Sequence, residues 1–260
     1  MRIDQFLNPY FIYRNRRRII PYLEKRRDYR KLSKFKDRHR GEGCFIIGNG
    51  PSLTLEDLEK LKGETTFAAN KIWLIFDKTD WRPQYYVLED DHIINQHQEE
   101  IRRLKGLPKF VNRQWKHLFR DDPEAIWYPW HRLDDDEFPK FSDNALEIVY
   151  CGYQVTYISL QLAYFMGFSR VYLIGVDFNY SLAHQGQDTV EHSALVQDHF
   201  VPDYYKPGEM RYIPKLDLTE RALRCGKEFY EAHGRKVYNA TRGGKLEVFD
   251  RVCLEEALRS

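Results

Sequence analysis

Residues 155–178 constrain the fold of this chain more than any other stretch. The first half, VTYISLQLAYFM, is apolar on nearly every face, and a helix of that kind belongs inside a protein. Gly167 stops it, and Val171-Tyr172-Leu173-Ile174 then reads as a strand ending in Gly175-Val176-Asp177-Phe178. A buried helix feeding straight into an apolar strand is a piece of an α/β architecture.

From Cys44 onward the same grammar repeats. Short β-branched or aromatic runs at 44–47, 66–69, 84–88, 109–111 and 236–239 read as strands, separated by helical patterns at 54–62, 92–105 and 217–233. Thr54 and Asp57 are spaced as a capping box for the first of these helices. A turn at Gly243-Gly244 and a last helix finish the chain, and no internal repeat is visible. The expectation is a Rossmann-like, mostly parallel sheet with flanking helices over residues 41–260. Residues 179–214 are polar and aromatic without clear periodicity, too long for a plain connector, and are expected to form a lid-like insertion. A hydrophobic content of 42%, an aromatic content of 15% and 11 prolines exclude a disordered, collagenous or low-complexity chain.

Residues 1–40 stand apart as a basic helical extension. They carry 14 Lys and Arg against 4 Asp and Glu, whereas the remainder carries 27 against 35. Pro21 is placed to open a helix there. Interleaved aromatics (Phe6, Tyr10, Phe11, Tyr13, Tyr22) and arginines suit an anionic membrane surface, where each Lys or Arg contributes about 1 kcal/mol. The same composition suits a solvated helix packed on the body or on a second subunit of a homo-oligomer. No nucleic-acid motif accompanies the charge, so a nucleic-acid partner is not expected. No apolar run reaches the roughly 18 to 20 residues that cross a bilayer, and arginines stand where a signal peptide would place its apolar core. Cys44, Cys151, Cys225 and Cys253 are scattered, without a C-x-x-C pair. The expected location is therefore cytoplasmic, peripheral on the inner face of the cell membrane.

Ligands of open parallel sheets bind beyond the carboxyl ends of the strands, which selects four clusters. Gly48-Asn49-Gly50 after the first strand allows close backbone approach and offers amides to an anion at the next helix N-terminus, and suits an ordinary tight turn equally well. It lacks the full G-x-G-x-x-G and the P-loop Lys-Ser/Thr. Asn70 follows the second strand. Glu89-Asp90-Asp91 follows the third, as carboxylates for Mg²⁺ or as a cap for the helix beginning near His92. Gly175 to Asp177 follows the strand after the buried helix, with the insertion behind it. The histidines show no metal-ligand spacing, and His199, inside the insertion, is placed for general-base work or is a plain surface histidine.

Three motifs are read together: Ile46-Ile47-Gly48-Asn49-Gly50-Pro51-Ser52-Leu53, Ala69-Asn70-Lys71, and Tyr172 through Phe178. With Asn239-Ala240-Thr241 and Gly243-Gly244-Lys245 they resemble the MptE-like family, named for the archaeal 6-hydroxymethylpterin diphosphokinase, and more distantly the family 42 bacterial sialyltransferases. The resemblance spans roughly residues 44–258. From the sialyltransferases it implies that Gly48, Asn49, Gly50, Ser52 and Asn70 hold a cytidine nucleotide, with Thr156 and Gly175 beside it. It also implies that Tyr180 steadies the leaving phosphate, that Asp177 belongs to the catalytic group, and that no metal is needed. Where those enzymes carry a histidine base, counting back from Lys215-Leu216-Asp217 gives Tyr212, so His199 becomes the candidate base in its place. The Asp-x-Asp-Gly pattern of the pterin enzymes is replaced by Glu89-Asp90-Asp91-His92.

What the resemblance implies first is a glycosyltransferase that moves a sugar from a CMP-activated donor to a cell-surface glycan or glycoconjugate. A Mg- and ATP-dependent diphosphokinase holding its metal on Glu89, Asp90 and Asp91 is the alternative. A non-enzymatic, membrane-associated adaptor is the third reading.

Overall fold

The computed structural model describes residues 28–180, 189–191 and 198–259. Eight short strands form one all-parallel sheet: β1 Gly43–Ile47, β2 Thr66–Ala69, β3 Tyr85–Leu88, β4 Lys109–Asn112, β5 Ala125–Tyr128, and, after two small strands, β8 Arg170–Ile174, β11 Lys236–Asn239 and β12 Asp250–Arg251. The order across it is β12-β11-β8-β1-β2-β3-β4-β5. Two minor sheets complete the strands, a parallel pair β6 Trp130–His131 with β7 Val149–Tyr150, and an antiparallel ribbon β9 Thr189–Glu191 with β10 Met210–Tyr212. The helices are α1 Leu55–Lys60, α2 Asp91–Gln96, α3 Gln98–Arg103, α4 Val155–Met166, α5 Leu216–Ala232 and α6 Leu254–Ala257.

Apart from the exposed edge strand β12, the strands of this sheet are mostly buried and largely apolar, because both faces of the sheet are covered, as parallel sheets require. β4 carries an exception. Lys109 is fully buried, and Asp122 and Glu124 each sit 3.0 Å from its Nζ, so the charge is neutralised where water cannot reach it. Helix α4 is buried on all sides, as its composition implies, and its polar residues are satisfied inside the core. Ser159 Oγ donates to the Val155 carbonyl, while the Gln161 amide donates to Tyr150 O and accepts from the N–H groups of Ser142 and Tyr150. Gly167 closes α4 at φ 96°, a left-handed position that favours glycine.

Several elements differ from the sequence reading, which does not anticipate the short strands β6, β7 and β12. β5 was not expected; it is an edge strand squeezed between Pro123 and Pro129, which punctuate the sequence like a loop. The polar helix expected at 92–105 is broken at His97 (φ −127°), which starts α3 instead of continuing α2. The expected extension also gives up its last part to the body. Tyr29, Leu32 and Phe35 are buried in the core, and the amides of Asp37, His39 and Gly41 donate to the carbonyls of Phe165, Met166 and Gly167 at the end of α4. Apolar contact and unpaired helix-end carbonyls explain the docking. The helix expected near Pro21 and the membrane-facing aromatics lie outside the described residues. Among the described residues, no helix is long and apolar enough to cross a membrane.

Candidate functional site

From β1 the chain winds toward one edge of the sheet, and from β8 toward the other, so the strand order reverses between these neighbours. Ligands of open α/β sheets sit outside the carboxyl ends of the strands at such a reversal. A cavity of about 320 Å³ lies there, walled by the loops after β1, β2, β3 and β8, the N-terminus of α4, and β10 with the turn before it.

The turn after β1 is packed differently from a phosphate-binding loop. Gly48 N–H donates to Ile174 O and Gly50 N–H to Gly175 O, both at 2.8 Å, so these amides are consumed between the two central strands. A Cβ on Gly48 would lie 2.2 Å from the Gly175 carbonyl oxygen, and one on Gly50 1.9 Å from Asp177 Oδ2. Both glycines border the cavity, and what they admit is the neighbouring loop. The next helix offers little of the expected anion cradle: α1 has only six residues, and its capping box already takes up the Thr54 and Asp57 amides. Ser52 stands behind the cavity wall, donating from Oγ (2.8 Å) to Asp177 Oδ2. Burial raises the Asp177 carboxyl above its ordinary range, against the pull of the Ser52 hydrogen bonds. Asp177 thus ties the loop after β8 to the loop after β1, and also lines the cavity.

The helix whose N-terminus does border the cavity is α4. Gln154, Val155 and Thr156 line the wall, and no side chain caps those first amides. Asn49 and Asn70, at the tips of adjacent strands, join them. Asn49 Nδ2 donates to Ala69 O and to the Tyr204 hydroxyl, leaving Oδ1 buried without a partner. Asn70 takes the left-handed conformation (φ 51°), and its Oδ1 is likewise buried and unpartnered. Trp130 Nε1, Gln154 Oε1, and Nε and Nη2 of Arg211 share that condition around the same cavity. Buried polar groups are nearly always paired, so a cluster of unpaired ones around one cavity makes this cavity the candidate site.

The far part of the expected lid is docked onto the sheet. Phe200 N–H donates to Asn49 O. Lys71, buried after β2, donates from Nζ to Tyr204 O at 2.9 Å and pairs with Glu209 Oε2 at 2.6 Å. Burial pushes the Glu209 carboxyl up, but the Lys71 hydrogen bond and charge outweigh it and hold the group below its usual range. The sequence marks Lys71 only as part of a motif and gives no sign of Tyr204, because their contacts join positions more than a hundred residues apart; Arg211 is equally unmarked, its partner Asp198 lying in the same aperiodic stretch.

The carboxylates after β3 do not converge on a common point. Asp90 caps α2, accepting from the N–H groups of His92 and Ile93. Asp91 accepts from Trp115 Nε1 and Gln114 Nε2. Glu89 has only a weak contact with the Cys151 thiol (3.9 Å), and burial together with the neighbouring Asp90 and Asp91 charges pushes it up to about 8, so it holds its proton at neutral pH. No group of three or more His, Cys, Asp or Glu side chains among the described residues is arranged to hold a metal ion. The three carboxylates therefore do not fit a preformed Mg²⁺ site.

His199, Tyr180 and Tyr212 all border the cavity. The His199 ring stacks on Tyr204 with centroids 3.8 Å apart and meets Tyr205 edge-on. Burial, with the Asp198 and Asp177 charges, pushes the Tyr180 hydroxyl up to about 12. That keeps it a neutral donor. Tyr212 is 46% exposed and packs against the His92 ring at 4.5 Å.

The family model described as 6-hydroxymethylpterin diphosphokinase MptE-like matches residues 18–182. No curated protein matches the chain. Among solved structures the chain is similar to the sialyltransferase CstII from Campylobacter jejuni, in complex with a substrate analogue, cytidine-5'-monophosphate. Identity is 14%, the match covers 82% of this chain and 85% of that one, and the TM-score is 0.44.

Proposed function

The chain belongs to the 6-hydroxymethylpterin diphosphokinase MptE-like family, and from that footing we propose that it is a nucleotide-dependent transferase acting on a CMP-linked acidic sugar. The acceptor is a hydroxyl of a cell-surface glycan or glycoconjugate. The observation that carries this reading is the ring of unpartnered polar atoms on Asn49, Asn70 and Gln154, set around a cavity at the strand-order reversal and beside the uncapped start of α4. Amide oxygens accept from a nucleobase amino group or ribose hydroxyl, and helix amides face a phosphate.

In the reaction the acceptor oxygen bonds to the anomeric carbon while the bond from that carbon to the phosphate oxygen breaks. CMP departs with the electron pair. The transition state is oxocarbenium-like, and the growing charge on the phosphate is met by α4 amides and by the Tyr180 hydroxyl, which stays protonated. His199 takes the acceptor proton, with its ring held by Tyr204 and Tyr205. No step is routed through a metal: Asp90 caps α2, Asp91 accepts from Trp115 and Gln114, and Glu89 holds its proton.

Calorimetry with CMP, run with and without EDTA, tests the reading: binding is expected in both, and its absence at millimolar CMP removes the proposal. His199→Ala is expected to abolish transfer and to leave CMP affinity nearly unchanged; retained turnover shifts the base to Tyr212. The family's own name supports a second reading, a diphosphokinase. Mg²⁺-dependent release of AMP from ATP, lost in Asp90→Ala, is its signature. Residues 1–27 complete the proposal as a basic arm that holds the enzyme on an anionic membrane surface.

A further inference from the structure

The strand β10, Met210-Arg211-Tyr212, is inverted relative to an ordinary half-buried strand. Successive side chains point to opposite faces, and here Met210 (37% exposed) and Tyr212 point outward while Arg211 is only 5% exposed. Burying a guanidinium is costly unless every donor is met. Asp198 Oδ2 meets only one of its nitrogens, accepting from Nη1 at 3.2 Å, and this pair is itself buried. Nε and Nη2 are buried with no hydrogen-bond partner. These two N–H groups lie on one edge of the guanidinium plane and point the same way, which is the fork that takes both oxygens of a carboxylate or phosphoryl group. Arg211 also borders the cavity, as does Tyr180, whose hydroxyl is within reach of its charge.

We propose that the Nε/Nη2 edge of Arg211 anchors a two-oxygen anion of the donor substrate, with Asp198 fixing the guanidinium by its other end. The proposal rests on the nucleotide reading of the cavity and adds to it a specificity: the substrate must bring an anionic group to β10, either the phosphoryl group of CMP or the carboxylate of the acidic sugar. Neither nitrogen is reached by bulk water in this structure, so the anion replaces no hydration shell at the fork. Substrate entry then includes a shift of the wall that covers these two nitrogens.

The test follows the Arg211 Nε–H resonance of the wild-type protein by nitrogen-15 NMR, assigned through its own backbone, during titration with cytidine, CMP and N-acetylneuraminate. It is expected to move with CMP or with N-acetylneuraminate and to stay still with cytidine. A response to CMP assigns the anchor to the phosphoryl group, and a response to the sugar acid assigns it to the carboxylate. Arg211→Lys, which keeps the charge and loses the fork, is expected to weaken the responding ligand about tenfold to a hundredfold without changing cytidine affinity. If the Asn49 amide moves with CMP while Arg211 responds to neither anion, the anchor is overturned and the nucleotide reading survives. If no cavity resonance responds to CMP, both fall.

Discussion

Asn70 meets two demands at one position. Its backbone sits at φ 51°, which asparagine tolerates better than most residues, and its side-chain oxygen faces the cavity wall unpaired. The two are separable. Asn70→Gly keeps the backbone at ease and is expected to leave the melting temperature within a degree or two while weakening CMP about tenfold, whereas Asn70→Ala adds about 1 kcal/mol of strain as well. Thermal melts and calorimetry on both variants check this, and equal CMP affinity in Asn70→Gly contradicts it. Glu89 supplies a pH test. Its carboxyl is raised in the folded protein to about 8, so the folded chain holds a proton there that the unfolded chain releases near 4.3. The stability from this group is complete below the unfolded value and is lost as pH rises toward about 8. Glu89→Gln is therefore expected to melt higher than wild type at pH 9 and about equally at pH 4, and identical pH profiles for the two proteins refute the assignment.

At the scale of elements, the docking of residues 198–212 combines the Phe200 and Tyr204 hydrogen bonds with an ion pair reaching back from Glu209 to Lys71. Because the Glu209 carboxyl lies below its ordinary range, its contribution is present above the unfolded value of about 4.3 and disappears as pH falls through the lower folded value. Glu209→Gln is expected to raise amide hydrogen exchange over 198–212 already at neutral pH, with a loss of about 3 kcal/mol from leaving Lys71 unpaired. Wild-type protein should show the same exchange only in acid. Unchanged exchange in the variant sinks this account. Legibility in the sequence follows the same division between near and far. The apolar runs of β1, β2 and β8, the Thr54 cap and the all-buried α4 were readable because burial and local geometry write themselves into neighbouring residues. β5 and the break at His97 were not, since an edge strand between prolines and a helix split by packing leave no periodic mark. The strand-end rule pointed to the cavity. It could not say that the Gly48 and Gly50 amides turn toward β8, or that α4 rather than α1 offers its open end.

On the scale of the whole molecule, the basic head divides near residue 28. Residues 1–27 carry the arginine clusters, while Tyr29, Leu32 and Phe35 belong to the core. Deleting 1–27 is expected to leave a folded protein that no longer sediments with anionic vesicles in low salt, where wild type does. Deleting 1–40 removes buried apolar side chains worth about 2 to 5 kcal/mol each and is expected to cost the fold. Vesicle sedimentation and thermal melts of both truncations distinguish these outcomes, and vesicle binding that survives loss of 1–27 argues against the arm. One contact described above reaches across the molecule. With the Gly50 N–H bonded to the Gly175 carbonyl, and no room for a Cβ on Gly48, the first turn is stitched to its neighbour. A dinucleotide coenzyme laid across that seam would find the Gly48 and Gly50 amides already taken by β8 and the turn after it, so any phosphate held here draws its donors from elsewhere on the rim.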